Sequence, residues 1–185
     1  MINSKRDLIE FLQADKKALN RQSNHPKHND YIWRFEIAMR KCEYYSNIQG
    51  EGILRKLIAA YYKLRKHRLG LLCGFQIPIN TCGKGLCISH IGPIVINNNV
   101  RIGDNCRIHI CVNIGADARN GKLVPRIGNN VYIGPGAKIF GGIVIPDNTA
   151  IGANAVVNKS FYEKGLAIAG VPAKIISRKG TNEIL

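Results

Sequence analysis

The sequence lacks the features of membrane-spanning, secreted and metal-stabilised proteins. No apolar run reaches the roughly 18 residues that a membrane span requires, and the N-terminal segment MINSKRDLIEF has no apolar signal core. Six cysteines are present, but no two of them form a CxxC pair. We therefore expect a reduced, cytoplasmic protein with neither a disulfide scaffold nor a metal site.

Acidic residues are also scarce. The chain of 185 residues has 12 Asp and Glu against 27 Lys and Arg, so its net charge is +15. The excess is divided evenly, with +8 on residues 1–74 (15 basic minus 7 acidic) and +7 on the remainder (12 minus 5). The densest basic run is KLRKHR, from Lys63 to Arg68. This charge would attract a phosphorylated cofactor, an acidic polysaccharide or the inner-membrane surface, but it is also typical of a solvated helix face. No nucleic-acid-binding module accompanies it, and no nucleic-acid partner is expected.

Aliphatic residues recur at every sixth position through the second half of the chain. This first rail has two unbroken runs: Ile96, Ile102, Ile108 and Ile114, then Ile127, Ile133, Ile139, Ile145, Ile151 and Val157. A second rail lies two residues earlier: Ile94, Val100, Cys106 and Val112, then Val131, Ala137, Ile143, Thr149 and Ala155. Period six excludes a helix, whose period is about 3.6, and predicts a solenoid of short strands.

The two rails define the geometry of each repeat. Residues two apart in an extended segment point to the same side, so both rails face one interior. Gly, Asn or Asp between the rails allows the backbone to turn, and each coil then packs on the next. A β-sandwich is the alternative, but it would need less regular spacing and longer hairpins.

The first 74 residues have helical spacing instead. Ser4 and Asp7 are placed as a capping box for a first helix, and two more helices are expected near residues 31–46 and 51–68. We expect this helical region to cover the end of the coiled part, because an exposed terminal coil is an unpaired strand edge.

Several motifs resemble the hexapeptide-repeat acyltransferases. They are VRIGDN, PRIGNNVYIGPGAKIFGGIVIPDNTAIGANAVV and AGVPAKII. The resemblance covers residues 75–176 and implies a left-handed parallel β-helix, with residues 177–185 as a C-terminal tail. The segment SHIGPIVINNNVRIGDN is similar to the serine acetyltransferase branch, and closer still to bacterial exopolysaccharide and capsule O-acetyltransferases.

Two histidines are candidates for the catalytic base. His90 lies six residues before Ile96, where the rail predicts an aliphatic residue, and it matches the family's catalytic histidine. A neutral imidazole is needed there because an alcohol is a poor nucleophile at neutral pH. His109 follows 19 residues later, about one coil in the family's geometry, and would assist the base or be an ordinary turn residue.

The rails are interrupted once, between Ile114 and Ile127, where thirteen residues stand in place of an expected twelve. In serine acetyltransferases this insertion ends in an arginine and a histidine that hold serine, where this chain has Leu123 and Val124. Ser89 replaces the aspartate before the catalytic histidine, and Gln76 or Asn80 stands where an orienting aspartate is expected. These departures predict an acceptor other than free serine.

The resemblance also implies a donor site for acetyl-CoA, in a groove between the subunits of a homotrimer. Small residues would allow the pantetheine arm to approach, and lysines would meet the phosphates. The matching positions are Gly141, Gly142, Ala153, Asn158, Lys159 and Lys174.

The sequence thus predicts an acetyl-CoA-dependent O-acetyltransferase acting on a sugar hydroxyl of a surface polysaccharide or its precursor. The saccharide acceptor would be acidic or lipid-linked, and the basic third helix suggests peripheral association with the inner membrane. Two alternatives remain open: a serine O-acetyltransferase of cysteine biosynthesis, and a non-catalytic hexapeptide-repeat scaffold.

Overall fold

The computed structural model describes residues 1–48 and 52–181, with three helices followed by short strands. The helices are α1 (Lys5–Ala18), α2 (Tyr31–Asn47) and α3 (Ile53–Cys73). The strands are β1 (Phe75–Gln76), β2 (Cys87–Ile88), β3 (Ile94–Ile96), β4 (Arg101–Ile102), β5 (Arg107–Ile108), β6 (Val112–Gly115), β7 (Arg126–Ile127), β8 (Tyr132–Ile133), β9 (Lys138–Phe140), β10 (Val144–Ile145), β11 (Ala150–Ile151), β12 (Val156–Val157), β13 (Ala167–Ala169) and β14 (Lys174–Ser177).

Local signals set the helix ends. The capping box predicted for Ser4 and Asp7 is confirmed, since each side chain accepts a backbone N–H of the other. The third helix is longer than predicted and ends at Cys73, where Gly74 adopts a left-handed φ of 78°. It continues beyond residue 68 because Leu69 and Cys73 are buried against the coiled part. Its predicted start at residue 51 lies outside the described residues.

The strands form three parallel sheets around one core. Sheet A has the order β1-β3-β6-β9-β12, sheet B has β10-β7-β4, and sheet C has β14-β13-β11-β8-β5-β2. Among the strands that the structure describes, only the last pair, β13 and β14, is antiparallel. Since the chain visits sheets C, A and B in turn, each circuit adds one strand to each sheet, as a β-helix does. The three turns of a circuit are called here the C-to-A, A-to-B and B-to-C corners.

Both rails lie in the core, as the period of six predicted. Every first-rail residue, from Ile96 to Val157, is buried, and every second-rail residue is buried as well. Successive coils stack the same rail, so that Ile108 pairs with Ile133 and Ile133 with Ile151. Asn105, Asn130 and Asn148 turn the B-to-C corner with positive φ, and their amides hydrogen-bond to one another from coil to coil.

The length predicted for the interruption of the rails was wrong. A regular coil takes 18 residues, as between Ile133 and Ile151, but the coil from Ile114 to Ile139 takes 25. The segment between Ile114 and Ile127 therefore replaces a single step of six residues, not two, and contains seven extra residues (13 minus 6). We call residues 116–125 the insertion loop, which leaves the fold at the A-to-B corner.

A buried charged network joins the helices to the first coil. The guanidinium of Arg40 pairs with Asp15 at 2.7 Å and Glu43 at 3.1 Å, and it donates to the Cys82 carbonyl at 2.8 Å. Sheet C ends at β2, whose open side would leave backbone N–H groups unpaired. The carboxylates of Asp15 and Glu36 accept from the N–H groups of Leu86 and Ile88 there, at 2.9 and 3.3 Å. The helical region thus covers the terminal coil with side-chain acceptors.

All six cysteines are free thiols. Burial raises the pKa of the Cys82 thiol to about 11, so it remains protonated at neutral pH. Within residues 1–48 and 52–181, no helix is long and apolar enough to cross a membrane.

Candidate functional site

The C-to-A corner brings together a serine and two histidines. Ser89 and His90 follow β2, and His109 follows β5 on the next coil. The His90 and His109 rings lie 5.8 Å apart between centroids, and Ser89 Oγ shares a hydrogen bond of 3.3 Å with His109 Nε2. The expectation that the two histidines are neighbours on adjacent coils is therefore confirmed.

The two histidines differ in exposure. His90 is exposed, whereas His109 is half-buried, with the Tyr132 ring 5.1 Å away. Burial, then the neighbouring His90 and Arg107, lower the pKa of His109 below its usual 6.5. A neutral imidazole at pH 7 can accept a proton, which is what general-base chemistry requires.

The rail argument for His90 was wrong. Ile88, not His90, occupies the rail, because Ile88 pairs with Ile108. The first full coil takes 20 residues between these two, two more than the usual 18, and the extra residues form the bend that carries His90 outward. A strict period of six could not reveal this bend.

Two of the predicted donor-site residues lie along the same corner. Ala153 occupies the turn after β11, and Lys174 pairs with Ala169 at the end of β13. His109 is followed from coil to coil by Gly134 and Gly152, whose neighbours are too close for a side chain: a Cβ on Gly134 would lie 2.7 Å from the Ile151 carbonyl oxygen. At about 4.8 Å per coil, a wall of small residues extends roughly 10 Å from His109 towards Lys174.

The other predicted donor-site residues lie at a different corner. Gly141 and Gly142 turn the chain between β9 and β10, and Asn158 and Lys159 follow β12 on the next coil. All four therefore lie at the A-to-B corner, on the far side of sheet A from the histidines. A single chain does not bring the two groups together.

The insertion loop borders this second group. Leu123 lies against Gly142, where an added Cβ would be 3.2 Å from the leucine side chain. Leu123 also closes the loop, since its carbonyl accepts from the N–H of Asp117 at 2.9 Å, and Val124 packs on the core. These two residues therefore anchor the loop. Its charged groups are Asp117, Arg119 and Lys122, which no motif in the sequence marks.

Neither Gln76 nor Asn80, the two substitutes for the orienting aspartate, forms a hydrogen bond with His90. Asn80 is held by Glu43, which accepts its N–H at 2.8 Å, and by the side chain of Asn47. Gln76 lines a groove beside α2 and α3. Ser89, which stands where the family has an aspartate, instead shares a hydrogen bond with His109. Its partner lies 20 residues away on the next coil, so spacing along one strand does not reveal the contact.

Comparison with known proteins finds relatives for part of the chain. Residues 125–159 match the family model described as bacterial transferase hexapeptide (six repeats). The serine acetyltransferase of Synechococcus elongatus is 36% identical over 120 residues, which cover 64% of this chain and 49% of that protein. The Helicobacter pylori (strain J99) enzyme is 40% identical over 109 residues, covering 58% and 63%. The chain thus spans about half to two thirds of the length of these relatives.

Solved structures have the same fold. The soybean serine acetyltransferase apoenzyme aligns with a TM-score of 0.71 at 22% identity, over 93% of this chain and 70% of that one. The Brucella abortus serine acetyltransferase in complex with coenzyme A aligns with a TM-score of 0.70 at 25% identity, over 95% and 70%.

These comparisons overturn the predicted acceptor. Relatives at 36–40% identity are serine acetyltransferases, so the prediction of a polysaccharide O-acetyltransferase with a saccharide acceptor was wrong. It rested on Ser89, on the missing orienting aspartate, and on Leu123 and Val124, and the structure places these last two as anchors of the loop. Residues 125–159 match hexapeptide repeats, and the chain has the fold of the serine acetyltransferases, which are among its homologues.

Proposed function

We propose that this chain is an acetyl-CoA-dependent O-acetyltransferase whose acceptor is L-serine. One observation carries the proposal: a paired His90 and His109 at one corner of a coiled domain that is homologous to serine acetyltransferases. The pair supplies the base that O-acetylation needs, and the homology supplies the acceptor.

In the proposed reaction, His90 is the base because its exposed ring can reach an acceptor hydroxyl. It takes the serine hydroxyl proton while the oxygen attacks the thioester carbonyl of acetyl-CoA. The carbon–sulfur bond then breaks, and the leaving CoA thiolate takes the proton that His90 holds, which restores the neutral imidazole. His109 keeps the pair in a reactive state because its lowered pKa prevents a second positive charge beside His90. Ser89 fixes the orientation of His109 through their hydrogen bond.

We infer that the donor lies between two protomers. The small residues and Lys174 at the C-to-A corner would face Gly141, Asn158 and Lys159 at the A-to-B corner of a neighbour. No ion pair with a carboxylate is recorded for Lys159 or Lys174 within the described part of the chain, so both ammonium groups can bind phosphates. This arrangement favours the homotrimer that the resemblance implies. The left-handed coil is retained from the same resemblance.

The insertion loop, at the A-to-B corner, has charged side chains that can bind the ammonium and carboxylate groups of an amino acid. Asp117 is half-buried and can pair with an ammonium group, whereas the exposed Arg119 can pair with a carboxylate. The free serine acceptor is thus compatible with this chain without the arginine and histidine expected at residues 123 and 124.

We retain the proposed organisation of the chain and its cytoplasmic location. Residues 1–74 form the helical region, residues 75–176 the β-helix, and residues 177–185 the tail, of which residues 182–185 lie outside the described residues.

The test is release of CoA thiol from acetyl-CoA with L-serine, compared with acidic oligosaccharides. We expect turnover with serine, and a loss of roughly a hundred- to ten-thousandfold in His90→Ala, as is usual for removal of a general base. His25→Ala is the matched control, because this exposed histidine lies far along the chain from the site. Turnover with oligosaccharide alone would refute the acceptor, and failure to bind acetyl-CoA would indicate a scaffold.

A further inference from the structure

Helix α3 carries an apolar face that nothing in the described structure covers. Its opposite side packs on the protein: Leu69 and Cys73 are buried, and Tyr62 stacks on Tyr45 of α2 with ring centroids 5.6 Å apart. The outward side exposes large apolar side chains, with their exposed fractions: Ile53 (77%), Leu54 (68%), Leu57 (62%), Tyr61 (52%), Leu64 (50%), Leu71 (70%) and Leu72 (67%).

These residues form one stripe, because they lie within about 100° of each other around the helix axis. The stripe runs from Ile53 to Leu72, or about 29 Å at 1.5 Å per residue. Leu64 and Leu71 also line a largely apolar groove of about 900 Å³ between α3 and β1. A continuous apolar surface of this length on a folded chain marks an interaction site.

The charges around the stripe are all positive. Helix α3 contains six Lys and Arg and no Asp or Glu. Lys56 and Lys63 flank the stripe on one side and Arg65 on the other, while Arg68 lies within it. Among the described residues, none of these four cations forms a recorded ion pair with a carboxylate.

The positive charges around the stripe favour an anionic membrane over a second copy of α3 or a nucleic acid. A second copy of α3 would bring six positive charges against six more with no acidic residue to offset them, so self-pairing is electrostatically unfavourable. Nucleic acid would satisfy the cations but leave the leucines in water. A bilayer with anionic headgroups satisfies both, since an amphipathic helix buries its apolar face at the headgroup boundary while its Lys and Arg contact phosphates.

We propose that the outward face of α3 is a docking surface for anionic membrane. The helix lies in the plane of the bilayer surface, with Leu57, Tyr61 and Leu64 inserted and the flanking cations at the headgroups. The coiled domain and its histidine corner remain in water. This role is independent of the acetyl transfer proposed above, since no α3 residue belongs to the candidate site.

Vesicle flotation of the full chain tests the surface. The vesicles contain phosphatidylglycerol and phosphatidylcholine, or phosphatidylcholine alone, each at low and high salt. We expect binding to the anionic vesicles that weakens with salt, and little binding to the neutral ones. Lys56→Gln and Arg68→Gln should each weaken binding about fivefold, and Leu57→Gln combined with Leu72→Gln should weaken it at both salt concentrations.

Controls separate the α3 surface from overall charge and apolarity. Lys5→Gln removes an exposed cation from α1, and Tyr162→Gln removes an 83% exposed ring outside α3. Both should bind vesicles like the wild type. Equal losses in controls and α3 variants would overturn the proposal, as would absence of wild-type binding. A different outcome is that wild-type protein does not bind vesicles and the leucine variants have a lower oligomer mass in sedimentation. In that case the outward face of α3 binds a second copy of the chain. Serine acetylation in solution is measured separately, so its failure is distinguishable from failure here.

Discussion

Replacing Arg40 with methionine should cause a large loss of stability. The guanidinium is fully buried and contacts Asp15, Glu43 and two carbonyl groups of the first coil, those of Cys82 and Gly83. Methionine fills part of the volume but leaves two carboxylates buried without their cation. Removing one partner of a buried ion pair costs about 3–5 kcal/mol. That is about a fifth or more of the roughly 5–15 kcal/mol that typically stabilises a domain, so the free energy of unfolding should fall steeply.

The measurement is urea unfolding of wild type and variant at one protein concentration, because association would otherwise shift the midpoint. Lys164→Met is the matched control. It removes the cation of an exposed pair with Asp147, whose Nζ–Oδ2 distance is 2.8 Å, and should cost no more than about 1 kcal/mol. If Arg40→Met costs no more than this control, the network does not hold the helical region on the coil.

Three further predictions concern the site and the coil. Burial, His90 and Arg107 lower the pKa of His109, so its neutral form persists as the pH falls through 6.5. Arg107→Gln removes one cause and should move the His109 imidazole titration, followed by NMR, to higher pH, whereas an unchanged titration would show that Arg107 does not act on this ring. Gly134→Ala should destabilise the coil by about 1–3 kcal/mol in urea unfolding, since its Cβ would meet backbone at 2.7 and 2.8 Å, whereas Gly121→Ala, with nothing within 4 Å, should not. His109→Ala and Lys159→Ala chains are coexpressed so that they mix in one trimer. If each site joins two protomers, about one quarter of the sites receive both an intact His109 and an intact Lys159, and activity should return to that extent. If each protomer holds a whole site, no activity should return.

The coiled domain could be predicted because its signal is repeated. Each rail residue, such as Ile108 or Ile133, faces the same interior and is stacked on its equivalent one coil away. The period in the sequence therefore predicts directly how the coils stack. The prediction failed where the chain leaves that period. The bend before Ile94 and the insertion loop both add residues without a periodic marker, so the position of His90 and the length of the loop were misjudged.

The contacts that join distant segments could not be predicted from spacing. Asp15 and Glu36 lie on different helices, yet both accept N–H groups from one edge strand more than 50 residues away. Nothing in their local sequence marks them, because the unpaired N–H groups that they accept arise only at the open edge of sheet C. The same holds for Ser89, whose partner His109 is 20 residues away and is adjacent only when the coils stack.

The division of the candidate site between two corners has a physical consequence for the chemistry. The imidazole pair lies at the C-to-A corner, while Asp117, Gly141 and Lys159 lie at the A-to-B corner, with the width of sheet A between them. A rigid β-helix cannot bend to close that gap, because its coils are tied by the ladder hydrogen bonds of all three sheets. Reaction of one thioester with one hydroxyl requires contact distances of about 3 Å, so the two corners can act together only when they belong to different protomers. Assembly would then create the site, and dilution to protomers should abolish turnover before it unfolds the chain.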